Sequence, residues 1–232
     1  MRCFQIVEYK IAETDFFLTK LKGTIHTEEV FVGARYYLSA FLSASRSITF
    51  ALQAAMKDIP DFKEWYEQHQ NKLRQNDLAK YFLEVRNLSQ KVGYYPLTSG
   101  RIFRDENNQR QIEYFFDLLD FGEDVSSPIP QEDVLTACNK YFILLLELVC
   151  DCFKNFGNII DPEKYFVFSI TEAGKSLEDI EEELGCPRGY TKIESIPDEE
   201  RIRILHREFK KDVTIDYVFE KYLGTNRLGE KN

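Results

Sequence analysis

Apolar side chains recur at helical spacing along several stretches of the chain. Between Thr24 and Lys57 they lie three or four residues apart without an interrupting proline, and Thr27 is a candidate N-cap. The apolar set is Val30, Ala34, Tyr37, Leu38, Phe41, Ile48, Leu52 and Ala55. This pattern predicts one long helix with an apolar face. Small residues between these positions would let a second helix approach closely, as in a bundle.

Two shorter helices and a second long one are predicted further along. Residues 61–75, after Pro60, carry an apolar face made of Phe62, Trp65, Tyr66 and Leu73. Residues 78–91 repeat apolar side chains at helical spacing, with Asn76 or Asp77 as the N-cap and Gly93 as the end. Residues 131–156 are apolar almost all round in their middle, which is typical of a central helix.

The pattern changes between residues 94 and 118, where aromatic and β-branched residues flank the polar sequence DENNQ. Such a composition predicts a β-hairpin, and residues 122–130 are predicted as a loop from their Gly, Ser and Pro content. Beyond residue 161 the chain is more polar. A short acidic helix with Ser176 as N-cap and Asp179 three residues later is predicted there, followed by one or two more helices.

The predicted fold class is therefore all-α: an up-and-down helical bundle with an inserted β-hairpin and a helical C-terminal extension. The bundle with its hairpin is assigned to residues 1–160. The extension, residues 161–232, is expected to pack on the bundle, because its many apolar side chains need burial.

Charge and composition narrow the classes of function. The formal net charge of −9 over 232 residues argues against a protein that coats nucleic acid non-specifically, although a local basic patch stays open. The longest apolar run, residues 141–150, is too short to span a bilayer and contains Glu147. With no secretion signal in the N-terminal residues, we expect a cytoplasmic protein without a membrane partner.

Several chemistries lack the motifs they need. The five cysteines show only a C-x-C spacing, at Cys150 and Cys152, with no nearby histidine. We therefore expect free thiols and do not expect a metal site. The Gly-Lys-Ser triplet at Gly174 to Ser176 lacks the first glycine of a phosphate loop, and no G-x-S-x-G is present. No cofactor is expected. The acidic run at Glu181 would repel phosphates, which leaves no DNA-reading motif.

The sequence FLEVRNLSQKVG, residues 82–93, places Arg86 and Asn87 near the end of an amphipathic helix. With its lead-in KYFLEVRN and the preceding long helix YYLSAFLSASRSITFALQ, this stretch resembles the HEPN superfamily of small helical bundles over residues 24–157. The resemblance implies metal-independent RNA cleavage in which an Arg stabilises charge on the phosphate and a His moves a proton. It also implies homodimers that bring two Arg motifs into one cleft.

Lys91 occupies the position where the HEPN pattern has its His. A lysine is protonated near neutral pH, so Lys91 could hold a phosphate but not readily act as a base. His69 and His206 are the candidates for supplying a displaced imidazole, with His26 less well placed. A lone histidine at a polar position is more often an ordinary surface residue, and that interpretation stays open for each of the three.

The predicted function follows from these residues. Arg86, Asn87 and Lys91 are the candidate catalytic residues, and Arg46 and Gln53, on one stripe of the first long helix, are candidate binding residues. We expect a non-catalytic or catalytically weakened HEPN-like protein that binds RNA, a nucleotide or a protein partner through a dimeric Arg86 cleft. The alternatives are a metal-independent endoribonuclease of toxin or defence type, and a structural interaction module. Arg86 could instead pair with a carboxylate, and the stripe could be a solvated face.

Overall fold

The computed structural model describes residues 3–26, 30–116, 125–209 and 215–231. Most of this part of the chain is helical, with one antiparallel pair of strands. The helices are α1 (Gln5–Gly23), α2 (Val30–Met56), α3 (Phe62–Gln75), α4 (Asp77–Val92), α5 (Val134–Ile160), α6 (Pro162–Thr171), α7 (Leu177–Glu183), α8 (Asp198–Phe209) and α9 (Asp216–Leu223). The strands are β1 (Leu97–Arg104) and β2 (Arg110–Phe116).

The predicted long helix at residues 24–57 begins later than expected. Thr24–His26 form a 3-10 turn that continues α1, and α2 occupies Val30–Met56. The predicted cap Thr27 lies outside the described residues. The Thr24 hydroxyl is buried and lies 2.5 Å from the hydroxyl of Tyr114 on β2, which ties this turn to the hairpin.

The N-terminal helix α1, which packs along α2, was not predicted from the sequence. Its buried face includes polar side chains such as Glu8, Thr14 and Asp15, whereas Tyr9 and Phe16 are exposed. The apolar residues Val7, Ile11, Leu18 and Leu21 are also buried and recur at helical spacing, so α1 combines a regular apolar face with buried polar side chains. The helix α6, which starts with Pro162 behind the N-cap Asp161, was not predicted separately either.

The remaining elements lie close to their predicted positions. Asn76, one of the two predicted caps, accepts a hydrogen bond from Ala79 N at 2.9 Å and starts α4. The central helix α5 runs from Val134 to Ile160 with Asp133 as its N-cap, and it contacts α1, α2, α4, α6, α9 and β2. The hairpin pairs Ile102 with Ile112. Its predicted end at residues 117–118 and the start of the predicted loop at residues 122–124 lie outside the described residues.

Two hydrophobic clusters form the interior of the described part. The larger one joins α1 to α5, the hairpin and α9, and its largest fully buried side chains include Phe41, Phe82, Phe142 and Phe153. The smaller one, Phe166, Ile180, Leu205 and Phe209, joins α6, α7 and α8. The division of the chain at residue 160 stays a prediction; α9, from beyond that point, buries Val218 and Phe219 in the larger cluster.

The predicted capping box of the acidic helix is confirmed. Ser176 accepts from Asp179 N, and the carboxylate of Asp179 accepts from Ser176 N in return. Two helices, α8 and α9, follow it, and the residues between them, 210–214, lie outside the described part.

Candidate functional site

The Arg86–Asn87 motif lies on α4 at the side that faces α2. Gly93 ends α4 in a left-handed conformation with φ of 70°, which glycine adopts without strain. Across the two helices, the hydroxyls of Ser39 and Ser89 are 3.2 Å apart, and Gln90 Nε2 donates to Ser43 Oγ at 3.1 Å. These contacts align the end of α4 with the middle of α2.

Arg86 is half-buried on this side of α4, between Leu83 and Gln90 at helical spacing. Its Nη1 donates to Asn87 Oδ1 at 3.2 Å, while its Nε is buried and has no hydrogen-bond partner. No carboxylate of the described residues forms an ion pair with this guanidinium. Within the described part of the chain, Arg86 therefore does not form the ion pair that was the alternative to a binding role.

Arg46 is the corresponding arginine on α2. Its Nη1 donates to Thr49 Oγ1 at 3.0 Å, and its guanidinium lies over the ring of Phe50, 4.4 Å from the centroid. Arg46 and Leu83 of α4 line one cavity, so Arg86, one turn beyond Leu83, lies on the same side as Arg46. Gln53, two turns further along α2, instead donates to Thr49 O at 3.0 Å.

We call this surface the α2–α4 face and define it by Tyr36, Ser39, Ser43, Arg46, Phe50, Arg86, Asn87 and Gln90. The five α2 residues recur at three- or four-residue spacing and so form one stripe of that helix. Three of the predicted site residues, Arg46, Arg86 and Asn87, therefore lie on one face.

Arg46, Arg74 and Arg86 differ in their partners from the arginines that form ion pairs elsewhere in the chain, such as Arg101 with Glu113 in the hairpin. Arg46 and Arg86 are oriented by a hydroxyl and an amide, and Arg74 on α3 by the amide oxygens of Gln70 and Asn71. In the C-terminal part four arginines contact one or more carboxylates each: Arg188, Arg201, Arg203 and Arg227. The charges of Arg46, Arg74 and Arg86 are therefore not compensated by ion pairing within the described residues.

Lys91 does not join Arg86. Five residues of helix place the two side chains about 140° apart around the axis, and Lys91 is exposed. On that other side, Glu84 accepts hydrogen bonds from Ser126 N at 3.0 Å and Ser127 N at 2.9 Å, which attaches the segment before α5 to α4. Burial raises the pKa of Glu84, but these hydrogen bonds outweigh it, so its pKa is lowered.

The three histidines lie away from the α2–α4 face. On α3, His69 Nε2 is 2.9 Å from Asp151 Oδ2, which also accepts from Trp65 Nε1 at 2.9 Å, and His69 lines a separate cavity. His206 on α8 lies against the ring of Phe166 at 5.1 Å. His26 is exposed at the end of the 3-10 turn. None of the three supplies an imidazole beside Arg86 within one chain.

A cavity of about 380 Å³ at the α3 end of the α2–α4 face was missed in the sequence. Its lining includes Arg46, Tyr66, Arg74, Lys80 and Tyr141, which come from four helices. Arg74 and Lys80 are polar residues at helix ends and are ordinary in sequence. Only the packing of α3 and α4 against α2 and α5 places these two residues beside Arg46 and Tyr141. A spacing rule within one helix could not have found the set.

Metal-ligating clusters and membrane-spanning helices are absent from residues 3–26, 30–116, 125–209 and 215–231. Within these ranges, no group of three or more His, Cys, Asp or Glu side chains could hold a metal ion. No described helix has the length and apolar character needed to cross a bilayer. All five cysteines are free thiols.

One family model matches part of the chain. Residues 30–101 are similar to the family described as bacteriophage lambda protein ea47. The matched stretch contains α2, α3, α4 and the start of β1, and it includes every residue of the α2–α4 face. No curated protein and no solved structure matches the chain.

Proposed function

We propose that this chain is a non-catalytic, HEPN-like helical protein that binds single-stranded RNA through the α2–α4 face. The observation that carries the proposal is the placement of Arg46 and Arg86 on one face with neutral side-chain partners, in a chain with 39 acidic and 30 basic residues. Guanidinium groups held by a hydroxyl and an amide keep their charge available for phosphate.

Exposed aromatic rings beside the arginines support a single-stranded ligand. Phe50 is 48% exposed under the guanidinium of Arg46. At the other end of the face, Tyr36 is 59% exposed and contacts the ring of Tyr95 at 5.9 Å. Proteins that bind single strands combine a basic track with rings on which unpaired bases stack, and each stacked base contributes about 1–3 kcal/mol.

Neutral polar groups between the arginines favour RNA over DNA. Ser43, Asn87 and Gln90 present a hydroxyl and two amides on the α2–α4 face. Such groups can both donate to and accept from a ribose 2′-hydroxyl, the group by which proteins distinguish RNA from DNA. We expect the face to bind single-stranded RNA more tightly than DNA of the same sequence.

Binding without cleavage fits the surroundings of Arg86. Removing the proton of a 2′-hydroxyl needs a base near neutral pH, and the described residues hold the three histidines elsewhere in the chain. The motif residue Lys91, on the other side of α4, remains a candidate for holding a further phosphate. We include in the proposal that two copies pair to bring two Arg86 side chains into one basic cleft.

The proposal is tested with a fluorescently labelled single-stranded RNA of about ten nucleotides. We expect Arg86→Ala to weaken binding at least tenfold. The slope of the logarithm of the binding constant against the logarithm of the salt concentration should become shallower by about 0.7 for each phosphate that the variant no longer neutralises. Arg203→Ala is the matched control, because it removes one exposed arginine on α8 and should leave binding unchanged. Equal affinities of Arg86→Ala and Arg203→Ala would remove the face from RNA binding and favour a structural interaction module.

The two remaining parts of the proposal need separate readouts. Incubation of the RNA with the protein and a chelator, followed by gel analysis, should leave the RNA intact. Arg86-dependent cleavage would replace the proposal with the endoribonuclease alternative. Sedimentation equilibrium should show twice the mass of the 27.3 kDa chain, and a monomer that still binds RNA would contradict the paired cleft alone.

A further inference from the structure

The cavity at the α3 end of the α2–α4 face combines charge, hydroxyl groups and an apolar wall. It is bounded by α2, α3, α4 and α5, and its volume of about 380 Å³ falls within the roughly 300–1,000 Å³ of small-molecule sites. Its described lining contains three cationic side chains, Arg46, Arg74 and Lys80, and no carboxylate. The cavity therefore favours an anion.

The cationic groups can reach a ligand without breaking a strong internal interaction. Arg74 Nη2 donates to Gln70 Oε1 at 2.8 Å, a neutral partner that itself lines the cavity. Lys80 pairs with Asp77 at 2.7 Å, but the two side chains are 41% and 63% exposed, and solvent-accessible pairs of this kind contribute little. Arg46 enters the cavity from α2, where Thr49 Oγ1 accepts from its Nη1.

Two phenols add neutral donors to the same wall. Burial raises the pKa of Tyr66, while the charges of Arg46 and Arg74 and a hydrogen bond with Thr49, all from the same cavity lining, act in the opposite direction. Burial raises the pKa of Tyr141 to about 12, again with Arg46 acting in the opposite direction. Both phenols are protonated at neutral pH and able to donate, and the hydroxyl of Tyr141 is held by no hydrogen bond to a described residue.

The rest of the lining is apolar and leaves space beside the anion. Leu73, Ala79 and Leu83 contribute side chains from α3 and α4. An inorganic ion would use only the donors, whereas an organic group joined to the anion would cover the apolar surface. A doubly charged group with three terminal oxygens matches a set of two guanidinium groups, an ammonium and two phenols better than a single carboxylate does.

We propose that this cavity binds a phosphate monoester, with Arg46 and Arg74 holding the phosphate oxygens and the apolar wall covering the attached organic group. Lys80 contributes a third charge at the rim, and the two tyrosines donate to the oxygens that the arginines leave open. The two possible sources are a free mononucleotide and the phosphorylated end of an RNA strand. Arg46 belongs to both the cavity and the α2–α4 face, whereas Arg74 and Tyr66 line only the cavity. Binding of a phosphate monoester is therefore tested at residues outside the face, and the inference does not require the face to bind RNA.

Isothermal titration calorimetry with AMP, ribose 5-phosphate and adenosine tests the proposal. We expect AMP or ribose 5-phosphate to bind at least tenfold more tightly than adenosine, and inorganic phosphate to compete. Arg74→Gln should weaken binding of the phosphate compound at least tenfold, and Tyr66→Phe several-fold. Arg203→Gln, with the same loss of charge on α8, should have no effect. Binding of neither phosphate compound, equal binding of adenosine, or an unchanged Arg74→Gln variant would overturn the proposal.

A second pair of ligands distinguishes the sources. A short oligoribonucleotide with a 5′-phosphate is compared with the same strand ending in a 5′-hydroxyl and with AMP. Tighter binding of the phosphorylated strand than of both others identifies a strand end, whereas equal binding of the two strands with retained AMP binding identifies a free mononucleotide. Arg86→Ala should leave AMP binding unchanged, so failure of the α2–α4 face and failure of the cavity give different results.

Discussion

Arg227 and Asp161 form a buried ion pair that joins the end of the described chain to the junction between α5 and α6. Arg227 Nη2 lies 2.7 Å from Asp161 Oδ2, and Nε of the same guanidinium donates to that oxygen at 2.8 Å. Asp161 also caps α6 by accepting from Lys164 N at 3.0 Å. Asp216 at the start of α9 accepts from Arg227 as well, so one guanidinium connects three segments.

Removal of Arg227 is expected to destabilise the protein strongly. Arg227→Ala leaves the fully buried Asp161 carboxylate without its counter-ion, which typically costs about 3–5 kcal/mol. Urea unfolding monitored by circular dichroism measures the free energy of unfolding. The control Arg203→Ala breaks an exposed pair with Glu200 and should change it by less than about 1 kcal/mol. A smaller loss for Arg227→Ala than for the control would contradict the structural role of this pair.

Stability of the C-terminal part is expected to fall in acid because of Glu181. This carboxylate is fully buried and accepts from Thr191 N at 2.8 Å and Tyr190 N at 3.1 Å. Burial raises its pKa, but hydrogen bonds from Thr191, Gly189 and Arg201 outweigh burial and hold the pKa at about 2, below the usual 4.5. A lowered folded-state pKa stabilises the fold above about pH 4.5, and this contribution is lost as the pH falls toward 2.

Urea unfolding of the wild type and of Glu181→Gln at a series of pH values tests this expectation. The stability difference between the two proteins should be largest near neutral pH and should shrink as the pH falls from about 4.5 toward about 2. A difference that stays constant over this range would show that Glu181 does not titrate as the buried hydrogen bonds require.

Asp151 is expected to determine the environment of Trp65, the single tryptophan of the chain. Asp151→Ala removes the acceptor shared by Trp65 and His69, and loss of such hydrogen bonds costs about 1–2 kcal/mol. We expect the tryptophan emission to shift and the free energy of unfolding to decrease. Asp151→Asn keeps one acceptor oxygen and should preserve the emission of the wild type; the same shift in both variants would argue against the hydrogen bond.

Gly100 in β1 is expected to tolerate no side chain. An added Cβ would lie 2.8 Å from Glu113 O of the paired strand and 2.8 Å from the ring of Phe31. The backbone oxygen cannot move without breaking the hairpin register, so Gly100→Ala should lower the free energy of unfolding by about 1–3 kcal/mol. Gly23→Ala is the control, because no atom lies within 4 Å of its added Cβ. Equal stability of the two variants would contradict the close approach at Gly100.

The sequence predicts helices and their buried faces well where one face of a helix is buried and the other is exposed to solvent. In α3 and α4, the apolar positions Phe62, Tyr66, Phe82 and Val85 are buried as their spacing predicts, and Asn76 supplies the cap. In α1 the apolar positions Val7, Ile11, Leu18 and Leu21 are also buried at helical spacing, but the spacing does not account for the burial of Glu8 and Asp15 beside them. Burial of Asp15 depends on Lys221 and Tyr222 of α9, about two hundred residues away, which no local pattern records.

The candidate site was predictable only in part. Arg46 and Arg86 could be selected because helical spacing identifies the polar side of an amphipathic helix, and the structure brings the two to one face. Lys91 and Gln53 stay predictions. Lys91 lies on another side of α4 from Arg86, and the amide of Gln53 donates to Thr49 O of its own helix. The cavity was not predictable, because Tyr66, Arg74 and Tyr141 meet only through tertiary packing.

The contact between α9 and α1 constrains when the protein can fold during synthesis. Lys221 and Tyr222 reach Asp15, and Phe219 packs on Phe153 in the larger hydrophobic cluster. The ribosome makes α9 more than two hundred residues after it begins α1. The hydrophobic cluster that the N-terminal helices share is therefore complete only after α9 has been made. A nascent chain without α9 exposes apolar surface and the Asp15 carboxylate.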